Sequence, residues 1–365
     1  MKLDTYMPVR LVSGSGCVNA NASLFEGKRC LIVTGGSSAQ KSGALDDVKN
    51  ALESQGKEYT VFSQINENPL VSSCILAAEQ ARDFKADFIV GIGGGSPLDA
   101  SKAVAIFAKD ASLTEESIYK RKVPAPALPV YLVGTTAGTG SEVTGVAVLT
   151  RSAGNKQSIS GADCYARAAF LDARYTYTMP YSVTVSTALD ALAHAAEGWF
   201  SSKLSDLAKG YASLALPDIY TGLRKLLQSG ELSGEQDRER MYYASIYAGL
   251  ELNICGAAFP HTVGYVLSED YGITHGKACT AFMPLLIKRA RQFCPDRVKE
   301  LFKLLDTDED SFIDVVKSLT DVTLQTEPEK AREYCGRWTA QSKNFVNSPG
   351  GFTPEDAYAA LTGGI

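Results

Sequence analysis

Four short apolar runs lie along the first half of the chain: 29–34 (RCLIVT), 58–63 (EYTVFS), 87–92 (DFIVGI) and 128–134 (LPVYLVG). Helix-like stretches, 42–54 and 68–82, separate the first three, and another opens at the glycines after the third. A strand that is apolar along its length is covered on both faces. Such strands alternating with amphipathic helices predict parallel βαβ units with helices on either side of one sheet. From about residue 180 the pattern changes. Met179-Pro180 closes a loop, and 183–197, 204–228, 236–256, 284–292 and 297–304 all read as helices, with 229–240 as a polar surface loop entering one of them. The expectation is an α/β domain with a mostly parallel sheet over 1–179 and an all-helical domain over 180–365.

The length of 365 residues suits two domains. A net charge of −5 provides no basic field for nucleic acid. No apolar stretch reaches the 18 residues of a membrane span, and the N-terminal segment has no apolar leader core. The eight cysteines are scattered without a CxxC pair and read as reduced, mostly buried thiols. These features predict a cytoplasmic protein with neither a membrane nor a nucleic-acid partner.

Two glycine-rich loops follow predicted strands. In GIGGGSPLDASKAVA (91–105) the glycines let backbone N–H groups approach an anion, and Pro97 suits the first helical turn that follows. The spacing GxGGGS differs from the dinucleotide fingerprint GxGxxG, and the loop follows the third predicted strand rather than the first. Taken alone it is either a phosphate cradle or a tight strand-to-helix turn. The second loop, VGTTAGTGSEVT (133–144), offers the hydroxyls of Thr135, Thr136, Thr139 and Ser141. Two such loops at the carboxyl ends of parallel strands mark the crevice where nucleotides bind in open sheets.

The chain holds only three histidines, His194, His261 and His275. Asp190 and His194, four apart in TALDALAHAAEGWF, share one face of a helix. A carboxylate in so apolar a helix is costly unless it is paired or bound to a cation. An isolated DxxxH pair reads equally as a buried hydrogen bond. His261 and His275, fourteen residues apart, complete a set that uses every imidazole in the chain. Three imidazoles and one carboxylate form an N3O shell suited to Fe(II), Zn(II), Co(II) or Ni(II), and not a thiolate cluster.

In combination, GGGSPLDASKA, GTTAGTGSEVT, DALAHAAEGWFS and HTVGYVLSEDYGITHGKA, in this order and spacing, resemble the iron-containing (metal-dependent, group III) alcohol dehydrogenases. The resemblance implies a dehydroquinate synthase-like fold, with an α/β dinucleotide-binding domain, an all-helical domain and a catalytic metal in the cleft between them. It carries the metal ligands to Asp190, His194, His261 and His275, with Fe(II) favoured over Zn(II). It carries the cofactor loops to Gly93, Gly94, Gly95, Ser96 and Asp99, and to Thr135, Thr136 and Thr139. Asn68 and Lys156 resemble further nucleotide contacts. Homo-oligomers are common in such a family.

No acidic residue ends the first predicted strand, and Gly36, Ser37, Ser38 and Lys41 suit a 2′-phosphate, which resembles the NADPH-using members. Glu67, read as closing the second strand, favours NAD instead. The family often has a second histidine four residues after its third metal ligand; here Tyr265 occupies that place, as a candidate substrate contact or proton donor. The activity implied is interconversion of a primary alcohol and its aldehyde by hydride transfer with NADP(H), or NAD(H). The alternatives are a same-fold lyase of the dehydroquinate-synthase type and a metal-dependent hydrolase. A lone fixed cation, Lys277, within 255–280 disfavours the anionic sugar that the lyase would need.

Overall fold

The computed structural model describes residues 5–121, 126–232 and 234–364. The chain divides into two compact units, one of Tyr6–Met179 and one built on Pro180–Ile365.

In the first unit, six strands form one parallel sheet: β1 (Arg10–Ser13), β2 (Arg29–Thr34), β3 (Glu58–Phe62), β4 (Phe88–Gly93), β5 (Val130–Gly134) and β8 (Ala168–Leu171). Their order across the sheet is β1-β8-β5-β4-β2-β3. An antiparallel hairpin, β6 (Val146–Thr150) and β7 (Lys156–Ser160), stands apart from it. The inner strands β4 and β5 are buried throughout, as their unbroken apolar runs require, whereas β3 at the edge begins with the exposed Glu58. Beneath one face, Phe25 packs 5.1 Å from Phe170 and 5.2 Å from Tyr131, ring centre to ring centre.

Four strands escaped the sequence reading: both strands of the hairpin, and β1 and β8 of the sheet. β1 and β8 are four-residue runs, RLVS and AAFL, with no marked periodicity. They become strands by pairing with each other, Arg10 opposite Ala168, and β8 also lines up against β5. The GIGGGS loop therefore follows the fourth strand in chain order, not the third. The helix read from residue 42 begins at Ala44, after Gly43 at φ +83°. The one read from 68 begins at Val71, because Asn68 takes a left-handed φ of 56° before Pro69.

The second unit is helical, with no strand among its described residues. Its longer helices are Tyr181–Trp199, Asp206–Ser229, Glu235–Cys255, Phe259–Asp270, Met283–Phe293, Pro295–Leu305 and Glu309–Thr320, and a short one spans His275–Thr280. Tyr181–Trp199 is buried on every side from Ala188 onward, as expected of a helix with no polar face. Gly198, whose place near the helix end suggests a cap, instead lies inside it, and Phe200 is the C-cap. A Cβ on Gly198 would stand 1.4 Å from Glu251 Oε1, so the glycine makes room for a neighbouring helix's side chain. The surface loop read over 229–240 is shorter, because a helix already starts at Glu235; residue 233 lies outside the described residues. No helix among the described residues is long and apolar enough to cross a membrane.

Candidate metal centre and cofactor loops

The two glycine-rich loops meet at the carboxyl ends of adjacent strands. Gly93 of β4 lies opposite Gly134 of β5, and the Thr135 N–H donates to Gly93 O at 2.8 Å. Gly93 has φ +149°, and a Cβ there would stand 2.6 Å from Pro97 Cγ. On Gly94 it would meet Thr136 Cγ2 at 3.0 Å, and on Gly95, Thr139 Cγ2 at 2.7 Å. Contact between the loops thus already requires the glycines, which was the plain reading of a tight turn. Two further features suit a ligand. Gly94 heads the helix Gly95–Lys109 with no side-chain cap, at the end where a helix attracts phosphate. Thr135 is 2% exposed, and its Oγ1 is buried without a hydrogen bond.

The loops are tied from below. Asp99 accepts from Ser141 Oγ at 2.6 Å and from the Val148 N–H at 2.8 Å. Lys102, fully buried, donates to Ser141 Oγ, Thr144 O and Val146 O at 2.9, 3.0 and 2.7 Å. Both Asp99 oxygens are thus spent on the protein, which makes Asp99 a brace for the cradle. Ser96 Oγ accepts from the Asn68 N–H at 3.3 Å. Lys156 opens β7, paired across the hairpin with Thr150. Gly36, Ser37, Ser38 and Lys41 are all exposed just past the end of β2. β3 ends at Phe62, so Glu67 stands in the loop beyond it rather than closing the strand.

In the helical unit, the four side chains singled out by sequence come together. Asp190 and His194 point from one face of Tyr181–Trp199, His261 sits in the first turn of Phe259–Asp270, and His275 is the first residue of His275–Thr280. The Nε2 atoms of His194, His261 and His275 lie 3.8, 3.5 and 3.6 Å from one atom, Asp190 Oδ1. His194 and His261 stack with ring centres 4.6 Å apart, and His275 stands edge-on to His261 at 5.4 Å. Backbone contact sets this spacing. A Cβ on Gly276 would stand 1.8 Å from Ser186 O, and one on Gly264 2.9 Å from the Ala278 backbone, so the three helices touch where side chains are absent.

Electrostatics and solvation identify what the cluster lacks. Burial alone would push the Asp190 carboxyl up, but His194, His275 and His261 outweigh it and hold the group well below the usual carboxylate range. Asp190 Oδ1 and His261 Nε2 are buried, and neither makes a hydrogen bond. Separations of 3.5 Å and more are long for an N–H···O bond, and unpartnered buried polar atoms are costly. A divalent cation among these atoms satisfies all of them, so the donor set fits the metal that the sequence implied.

Glu197 escaped the sequence reading. Its Oε1 lies 2.6 Å from His261 Nδ1, and its Oε2 accepts the Ala258 N–H at 2.5 Å. A carboxylate here accepts a hydrogen bond from Nδ1–H, which keeps the proton on Nδ1 and leaves the Nε2 lone pair facing the cluster. The signal was present: Glu197 follows His194 by three residues in the same apolar helix, where a buried charge needs a reason as much as Asp190 does. Burial also pushes the nearby Glu251 carboxyl well above its ordinary range. Tyr265 stacks on His275 with ring centres 5.6 Å apart and planes 24° from parallel, against the one imidazole of the set whose side chain is 31% exposed.

Residues 8–173 match the family model described as iron-containing alcohol dehydrogenase, and residues 184–331 match the C-terminal model of the same family. The chain is 33% identical over 268 residues to long-chain-alcohol dehydrogenase 1 of Geobacillus thermodenitrificans, covering 73% of this chain and 67% of that one. It superposes on the crystal structure of an iron-containing alcohol dehydrogenase from Thermotoga maritima with a TM-score of 0.90 and 34% identity, over 99% of this chain and all of that one (100%). The sulfoacetaldehyde reductase from Bifidobacterium kashiwanohense, solved with NAD+, gives a TM-score of 0.86 at 26% identity over 99% and 98% of the two chains. The chain belongs to the iron-containing alcohol dehydrogenase family, the NAD(P)-dependent, metal-containing alcohol dehydrogenases.

Proposed function

We propose that this enzyme interconverts a primary alcohol and its aldehyde, with Asp190, His194, His261 and His275 as the metal ligands and NADP(H) as the preferred cofactor. One observation supports the ligand set above all: three imidazole nitrogens surround a single buried carboxylate oxygen that has no hydrogen bond. When bound, a divalent ion, with Fe(II) favoured, polarises the substrate oxygen, and the nicotinamide carries the hydride. The chain's own groups do the rest. Glu197 keeps His261 in the ligating tautomer, and Tyr265, beside His275, contacts the substrate or hands it a proton. Gly93, Gly94, Gly95, Ser96, Thr135, Thr136 and Thr139 receive the cofactor phosphates, with Asp99 bracing them and Asn68 and Lys156 at the margin. A homo-oligomeric, cytoplasmic enzyme belongs to the same reading.

The preference for NADP(H) rests on the exposed Gly36, Ser37, Ser38 and Lys41 past β2, in a stretch, 34–41, whose sequence holds no acidic residue to repel a 2′-phosphate. The NAD+-bound relative makes NAD(H) the second reading. A screen of primary aldehydes with NADPH and NADH, on protein loaded separately with Fe(II) and Zn(II), tests both. The expected result is metal-dependent oxidation of NADPH at a higher kcat/KM than NADH. Loaded protein that oxidises neither refutes the activity. Full turnover and full metal content in His275→Ala refute the ligand set.

A further inference from the structure

The helix that carries His261 is entered through residues 255–259, and a segment some ninety residues further along the chain grips that approach. Lys343–Asn347 is a helix of five residues. Asn344, Asn347 and Ser348 stand at i, i+3 and i+4, so their side chains fall on one face. Asn344 Nδ2 donates to Thr262 Oγ1 at 2.9 Å, and Asn347 Nδ2 donates to Cys255 O and Ala257 O at 3.1 and 3.0 Å. Ser348 Oγ accepts the Phe259 N–H at 3.0 Å. Gly256, at φ +69°, makes room for the amide, since a Cβ there would stand 3.0 Å from Asn347 Nδ2. Asn347 and Ser348 are buried, which shields these bonds from water. Alongside, Phe345 is buried edge-on to Phe352, 5.1 Å between ring centres, and Phe352 stacks on Phe259 at 4.0 Å.

The bonds bracket His261, two residues before it at Phe259 and immediately after it at Thr262. The one N–H just ahead of Phe259, that of Ala258, goes to Glu197. The same segment reaches the chain leaving the helix that bears Asp190 and His194. Asn347 O accepts the Ser202 N–H at 3.0 Å, and Ser202 Oγ donates to Val346 O at 3.3 Å. Two ligand-bearing elements are thus fastened to one stretch of chain that offers no ligand of its own. We propose that Asn344, Asn347 and Ser348 are positioning residues of the metal centre, holding His261 in register with Asp190 and His194. The inference rests on reading that cluster as the metal centre. The imidazole is one rigid ring with Nδ1 committed to Glu197 and Nε2 facing Asp190 Oδ1, so a shift of its main chain spoils one contact or the other.

The test is Co(II) binding by the full chain and by two variants, with thermal melts of each metal-free protein recorded alongside. Ser348→Ala leaves the buried Phe259 N–H without an acceptor, and Asn344→Ala releases Thr262. Wild-type protein is expected to show visible ligand-field bands at one equivalent of Co(II). In both variants the bands are expected to shift, reporting altered ligand geometry, and Co(II) is expected to bind about tenfold more weakly. A role confined to stability lowers the melting temperature and leaves bands and affinity as they were. That result in Ser348→Ala overturns the proposal, and where Ser348→Ala does not fold, the same result in Asn344→Ala overturns it. Wild-type protein that binds neither Co(II) nor Zn(II) overturns the reading of the cluster itself, and the proposal with it.

Discussion

Replacing Glu197 by glutamine changes one oxygen into an NH2 group and almost nothing else, yet both oxygens are committed. Oε1 faces His261 Nδ1 at 2.6 Å, and Oε2 accepts the Ala258 N–H at 2.5 Å. If the amide oxygen stays on His261, the amide nitrogen confronts a buried backbone donor, a mismatch of about 1–3 kcal/mol. If the amide turns over, its NH2 faces Nδ1, and the imidazole must move its proton to Nε2, the atom the cluster needs bare. Either way the variant binds metal less tightly. Removing such a supporting carboxylate costs about 10–100-fold in affinity, equal to about 1.4–2.7 kcal/mol. The assay is competition for Zn(II) against a chromogenic chelator, with circular dichroism confirming that the apo-variant remains folded. Wild-type zinc affinity in folded Glu197→Gln would refute the argument that this carboxylate sets the His261 tautomer.

Gly276→Ala places a methyl group 1.8 Å from Ser186 O, backbone against helix, with no flexible side chain to yield. Such overpacking costs about 1–3 kcal/mol or more, so thermal unfolding should shift down by several degrees and metal affinity should fall as His275 is displaced. An unchanged melting temperature would show that the helices tolerate separation. Burial pushes the Glu142 carboxyl up to about 7, against the nearby Lys102 charge, from an ordinary value of 4.5. Between those values the folded chain holds a proton that the unfolded chain has released, so stability falls as pH rises through the window and levels off above 7. The full cost is about 3 kcal/mol. Glu142→Gln should therefore flatten this decline and leave the protein more stable than wild type near pH 8, as denaturant titrations at several pH values would reveal. Parallel pH profiles for the two proteins would rule the argument out.

What could be read in advance depended on how far away each cause lies. Strands β2, β4 and β5 announce themselves because burial on both faces makes them apolar along most of their length, whereas AAFL becomes β8 only by pairing with β1 and β5. The convergence of Asp190 with the three histidines was legible because imidazoles are rare here and a carboxylate in an apolar helix needs a partner. The same reasoning applied to Glu197 and was not pressed. Gly198 misled because a glycine near a helix end suggests a cap, and nothing nearby in sequence reveals that Glu251 occupies the missing side chain's place.

The spacing of Asp190 and His275 is fixed by main chain resting on main chain at Gly276. Exchanging side chains elsewhere in the helical unit leaves that junction untouched. Bulky or polar residues around the cluster can therefore change while the distance from Asp190 to His275 is kept. The place where drift is forbidden is the smallest residue of the neighbourhood.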